Sequence, residues 1–304
     1  MTLLDMQRAF SRILTDASFQ RAFLAGEQDA LRAYDLTDRE LLSLRGLRRD
    51  RLATHAKVLA ATRVGRSFKT LPLTATLLRE RLRPFVDRFC AEFPPDAMGA
   101  EQVLVESARL TEFVIRLLDE GLLTPPWAKD LVTYENIEFS LGMSQDAWDS
   151  GMRTAALNRA PVPAADLELL PLVPVHGEHA RLAAFDHDLP EIIPRLAAGE
   201  IPEARPLDRP LRLLFVKVPG VLHVQTVKVN DATVALLAAC DGRRTTAALL
   251  DLLAAELGQG APGGRRAELD RLALPALRNL RELNVIAFQA FRHPAPADPP
   301  PPGA

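Results

Sequence analysis

The stretch "VNDATVALLAACDGRRTTAALLDLLAAEL", Val229–Leu257, opens on the end of a strand and continues as two short helices split by Asp241-Gly242. Asn230 or Asp231 is placed to cap the first helix, because a short polar side chain there can accept from the free amides of the first turn. Its spacing predicts a buried face of Val234, Leu237 and Cys240. Gly242 tolerates the left-handed conformation that closes a helix. Thr245 or Thr246 then caps the second helix, whose buried face is Leu249, Leu250, Leu253 and Leu257. Two short helices at a tight turn serve proteins that read DNA and also domains that bind peptides, so the stretch by itself leaves both open.

Upstream, "RPLRLLFVKVPGVLHVQTVKV" alternates as a hairpin turning at Pro219-Gly220. Before it, "LELLPLVPV" and "HARLAAFDHD" read as a strand pair joined through His176-Gly177. "DLPEIIPRLAAGE" between them and the hairpin is a short helix, with Asp188 capping, Pro190 in its first turn and Gly199 ending it. Downstream, a Gly-rich loop "GQGAPGGRR" leads to a last helix, "AELDRLALPALRNLRELNV", and "HPAPADPPPPGA" is dense enough in proline to be a disordered tail. Ahead of about Ala160 the period is helical throughout. "SFQRAFLAGEQDALRAYDL", "LTDRELLSLRGLRRDRLATHAKVLAATRV", "LPLTATLLRERLRPFVDRFCAEF", "AEQVLVESARLTEFVIRLLDEGLL" and "PPWAKDLVTYENIEFSLGM" carry apolar residues at three- and four-residue steps. "PPDAMG" breaks the chain between two of them, and Thr37 three residues before Glu40 has the spacing of a capping box. The fold class expected is α+β. A helical domain spans 1–160, a winged-helix-like domain of a small antiparallel sheet and three helices spans 165–292, and the tail is 293–304.

At 304 residues the chain can build two domains of ordinary size. Its formal net charge of −2 argues against non-specific nucleic-acid binding, which needs a basic excess to release counterions. No stretch approaches the roughly 18–20 apolar residues of a membrane span, and "MTLLDMQRAFSRILTD" alternates apolar and charged positions unlike a signal peptide. Cys90 and Cys240, far apart and each in a helical apolar pattern, suggest reduced thiols, so a cytoplasmic location is expected.

The order of strand, "ND", helix, "CDGRRT", helix, loop and third helix resembles the PqqD-like family over about Arg209 to Phe288. The residues that carry it are Asn230, Leu236, Leu237, Cys240, Asp241, Gly242 and Thr245, with "LRELNVI" closing the third helix. Such domains are similar to winged helices but bind the leader of a ribosomally made precursor peptide. The resemblance implies that the leader lies between the third strand, His223–Val229, and the third helix, Asp270–Leu283. On that basis the groove is expected to be lined by Val224, Thr226, Lys228, Leu274, Leu277, Arg278 and Arg281. Main-chain bonds of an added strand would supply affinity, apolar pockets specificity, and the cations attraction for an acidic leader. Taken singly, each apolar member reads better as core, and each arginine as a solvated helix face.

"FLAGEQDALRAYDLTDRELLSL", with "LPLTATLLRERLRPFVDRF" and "PPWAKDLVTYENIEFSL", is similar to the helical segment of partner proteins of multinuclear non-heme iron oxidative enzymes, over roughly residues 8–150. Together the two resemblances point to the partner subunits of peptide-modifying pathways such as those of methanobactin and 3-thiaglutamate. They imply a non-catalytic chain that docks an iron enzyme, as a heterodimer, through an apolar patch near "LPLT" and "PPW". The iron is expected in the partner, with no cofactor, metal or catalytic residue in this chain.

Direct chemistry has thin support in the residues. A non-heme iron site needs several His and carboxylate ligands, and His176, His179 and His187, beside Asp186 and Asp188, form the one His cluster. A turn and a strand end would collect the same residues. No Gly-rich phosphate loop, G-x-S-x-G or CxxC occurs, and Glu135 in "TYENIEF" reads as a buried carboxylate or a surface residue. A transcription regulator is the main alternative, through Arg243 and Arg244 against phosphates. Its second helix, "TAALLDLLAAEL", has no Arg, Lys, Asn or Gln to read base edges. A scaffold without a peptide substrate is the third reading.

Overall fold

The computed structural model describes residues 3–94, 102–161, 163–257 and 262–290. The expected tail, most of "PPDAMG" and the first four residues of "GQGAPGGRR" lie outside the described residues. The architecture is α+β, with a helical N-terminal region followed by small antiparallel sheets and further helices. The first strand among the described residues begins at Leu172. Contacts divide the chain into two compact units, Met1–Ser140 with Asp186–Arg209, and Leu141–Phe185 with Pro210–Ala304. Neither is contiguous. The expected boundary near 160 falls inside the second unit, and the segment around "DLPEIIPRLAAGE" belongs with the helices of the first.

The first unit contains α1 (Leu3–Thr15), α2 (Ala17–Ala25), α3 (Asp38–Arg45), α4 (Arg49–Ser67), α5 (Pro72–Leu82), α6 (Val86–Glu92), α7 (Gln102–Asp119), most of α8 (Ala128–Met143) and, beyond α9 (Gln145–Asn158) of the second unit, α10 (Leu189–Ala197). Local chemistry sets these boundaries. Asp16 accepts from Ser18 N and Phe19 N at the head of α2, and Gly26, at φ +82°, closes it. The Thr37–Glu40 capping box starts α3. Ile13, Phe19, Leu31, Leu44 and Leu52 form one core cluster of this unit. Pro72 occupies the first turn of α5, where its missing amide costs nothing. Asp188 stands at the head of α10 without making a side-chain cap bond.

The second unit contains α9 (Gln145–Asn158), β1 (Leu172–His176), β2 (Ala180–Phe185), β3 (Leu211–Lys217), β4 (Val224–Val229), α11 (Asp231–Ala239), α12 (Thr246–Leu257), α13 (Pro262–Glu282) and β5 (Ile286–Ala290). β3 and β4 form the expected hairpin, turning at Gly220 with φ +81°. β1 and β2, expected to pair, do not. β1 pairs antiparallel with β5, Leu172 opposite Ala290, and β2 pairs with β3, Ala180 opposite Val216. Gly177 explains the divergence. A Cβ there would lie 2.4 Å from His179 Nδ1 and 2.7 Å from Ser150 Oγ, so the chain bends through a space only glycine fits and leaves β1 free for β5. The start of "LELLPLVPV" is a 3-10 turn, Asp166–Leu169, rather than strand. α13 also begins five residues before the expected start, within the Gly-rich loop.

The sheet order β2-β3-β4 puts β3 in the centre, and its residues are nearly all buried. Leu214 and Val216 pack with Leu236, Leu237, Leu249, Leu250, Leu253, Leu274 and Leu277 of the three following helices. Burial of such side chains contributes about 1.5–3 kcal/mol each before the opposing chain entropy is counted.

Candidate functional site

The opening stretch folds largely as its residues predict. Asn230 accepts from Thr233 N at 2.8 Å, and Thr245 Oγ1 accepts from Ala248 N at 3.3 Å. Leu236, Leu237 and Cys240 are buried on α11 and its end, whereas Val234 is half-buried. The turn "CDG" holds β1 to the helices. Cys240 C=O accepts from His176 N at 3.0 Å, and Gly242 N donates to Pro174 C=O at 3.2 Å. Gly242 has φ +74°, and a Cβ on it would approach Val175 Cγ2 to 3.3 Å. Cys240 Sγ donates to Leu236 C=O at 3.1 Å, and burial, aided by the Asp241 charge, pushes its thiol up to about 12. These motif residues build the frame that joins β1 to the helices.

The strand carrying Val224, Thr226 and Lys228 is the edge of its sheet, and no described strand pairs with its outer side. Hydrogen-bond phase decides what that edge offers. Val218 N donates to His223 C=O at 2.9 Å, and Lys217 N donates to His179 C=O at 2.8 Å. By antiparallel alternation, Gln225, Val227 and Val229 then turn their main-chain groups to β3, and Val224, Thr226 and Lys228 turn theirs outward. Gln225 and Lys228 are exposed, whereas Val224, one of the three outward residues, is buried.

The same phase assigns the faces. Cross-strand partners project to one side, and Val224, Thr226 and Lys228 sit opposite Lys217, Phe215 and Leu213. That side is the one turned away from Leu214, Val216 and the helical core. The side chains turned toward the helices are Gln225, Val227 and Val229. Leu274 and Leu277, 2% and 0% exposed, are part of the core itself. Arg278 is committed to Asp166 Oδ1 at 3.0 Å and to the carbonyls of Pro163 and Ala164. Arg281 donates to the carbonyls of Asn158 and Ala160 at 2.8 and 2.7 Å. The seven residues named for the groove therefore occupy a strand edge, a core and a clamp on the segment after α9, and they do not share one surface.

The histidines separate. His187 belongs to the first unit, where its amide and its Nδ1 both meet Asp130 Oδ2 at 2.9 Å. His176 and His179 are in the second, and burial lowers the pKa of both. His179 is 0% exposed, with Nδ1 3.1 Å from Ser150 Oγ and Nε2 on Asn284 C=O. A Ser–His pair at this spacing is what nucleophilic catalysis uses, but Ser150 is 5% exposed, and the second ring nitrogen is spent on a carbonyl. Among the described residues, no group of three or more His, Cys, Asp or Glu is arranged to hold a metal ion.

Glu135 is 4% exposed and accepts from Leu73 N at 2.7 Å and Thr74 N at 2.8 Å, so the α8 carboxylate caps α5. Burial raises its pKa against the pull of those amides. Its buried role was not separable from a surface one in sequence, because the amides it serves are more than sixty positions away. Arg244 is paired with Asp241 at 3.4 Å, which occupies one of the two arginines available for phosphates. No protein-family model matches the chain, and no curated protein is significantly similar to it.

Proposed function

We propose that this chain is a non-catalytic partner subunit. It takes the leader of a ribosomally made precursor peptide as an added strand on β4 and presents the peptide to an iron-dependent oxidative enzyme. The observation that carries the reading is the outer edge of β4, with Lys228 exposed and its main-chain N–H and C=O turned away from β3. An edge of that kind is a template for another chain. The β3–β4 hairpin followed by three helices supports the PqqD-like resemblance, on which the peptide's identity as a leader rests. The two units give the reading room for separate surfaces, with the edge on the second and enzyme docking assigned to the first. The benefit to catalysis is effective concentration, since a held leader makes delivery of the reactive end intramolecular.

The test is affinity capture of the full chain from its native cells, read by mass spectrometry and elemental analysis. An iron-bearing protein recovered with a small peptide supports the reading, and recovery of DNA, or of the chain alone, counts against it. The isolated chain, loaded with ferrous iron and desalted, is expected to retain none. Equimolar retention would move the iron site into this subunit.

A further inference from the structure

The first unit contains a pocket of about 220 Å³ among α1, α4, α6 and α7, and nothing in the proposed presentation of a peptide uses it. Leu14, Leu59, Ala60 and Val103 form its apolar wall. Leu59 and Val103 are 42% and 44% exposed, so two large apolar side chains stand open at a concave site. The pocket's carboxylate is neutralised. Glu106 takes a two-point bond from Arg63, Nε at 2.6 Å and Nη2 at 2.9 Å, and Arg109 lies 3.6 Å away. Arg63 is held further by lying over the Phe89 ring, 4.9 Å from its centroid. Arg66, exposed and one helical turn beyond Arg63 on α4, also lines the pocket. No described carboxylate pairs with it.

We infer that this pocket binds a small amphiphilic carboxylate, with its apolar tail against Leu14, Leu59, Ala60 and Val103 and its carboxylate on Arg66. An apolar wall with a few placed polar groups is the ordinary make-up of a small-molecule site. Size admits such a ligand. The volume exceeds the about 150 Å³ of a cavity that holds benzene, and a second cavity of about 410 Å³ shares Leu14, Thr15, Ala60 and Cys90 with it. Charge selects its sign, because the ion pair on the floor is already balanced and the remaining cation has the geometry to fork onto a carboxylate.

The test titrates the full chain with octanoate, octanol and octylammonium, each followed by calorimetry and by the shift of the melting temperature. Octanoate is expected to bind once per chain, more tightly than octanol, with octylammonium weakest. Ala60→Trp, which fills the pocket, is expected to weaken octanoate by at least about tenfold, or ~1.4 kcal/mol. Arg66→Gln is expected to weaken octanoate and leave octanol unchanged. If Ala60→Trp itself lowers the melting temperature, Val103→Trp on the exposed rim supplies the same block from a position that tolerates bulk. The inference is overturned if octanoate does not bind, if both Trp variants bind it as the wild type does, or if the three head groups bind alike. Because the pocket and the β4 edge lie in different units, either result leaves the peptide reading to its own test.

Discussion

The strand side and the helix side of the expected groove rest on one resemblance, and both carry apolar and cationic residues. The fold uses them in opposite ways. On β4, Lys228 stays exposed and its main-chain groups point outward from the sheet. On α13, Leu274 and Leu277 disappear into the core, while Arg278 and Arg281 reach sideways to hold the carbonyls of the segment after α9. A helix of a small domain has only one apolar stripe, and here the core consumes it. An edge strand retains main-chain groups that no core can consume, and the proposed peptide recognition is therefore assigned to the strand.

That difference can be broken first at Leu277. Leu277→Asp places a carboxylate in the core, at a position 0% exposed, and is expected to destabilise by about 4 kcal/mol or more. Denaturant unfolding checks it. A fully stable variant that had lost only peptide binding would return this residue to a groove.

Arg281→Ala comes next. It removes two charge-assisted bonds to carbonyls, and a loss of about 1.5–3 kcal/mol is expected with peptide affinity nearly unchanged. Loss of affinity without loss of stability would make Arg281 a ligand contact instead of a clamp.

A smaller effect is expected from pH. Burial holds His176 and His179 below the ordinary histidine value of 6.5, so the unfolded chain binds their protons more readily than the fold does. Their contribution is therefore complete above about 6.5 and is lost as pH falls into the window beneath it, with a slope of up to ~1.4 kcal/mol per pH unit for each proton. Urea midpoints across that window should fall in the wild type and fall less in His179→Asn. A flat wild-type profile would mean that these rings are not held neutral by the fold.

What was legible in the sequence follows from the range of the forces involved. Asn230, Thr37 with Glu40 and Gly220 act within a few residues, and each does what its spacing predicts; Gly242 has the expected positive φ, but its amide serves Pro174 on β1 instead of the helix end. The pairing of β1 with β5, more than one hundred residues on, depends on the bend at Gly177 against His179 and Ser150, and local alternation has no access to it. Strand faces were missed for a related reason. A one-residue change of phase moves every side chain to the other side of a sheet, and both phases of "VQTVKV" contain valines. The third helix showed its apolar stripe, but the sequence could not show that the stripe was already spent on the core.

The most direct test of the account exploits the outward amide of Lys228. Proline is tolerated at an edge position whose N–H does not serve the ladder, so Lys228→Pro should leave the melting temperature close to that of the wild type while removing one donor to an added strand. Binding of synthetic peptides covering the short reading frames beside its gene would be measured on the wild type and on Lys228→Pro. The account predicts a peptide that binds the wild type and loses at least about tenfold in affinity, ~1.4 kcal/mol, on the variant. Unchanged affinity on a folded Lys228→Pro protein would contradict it.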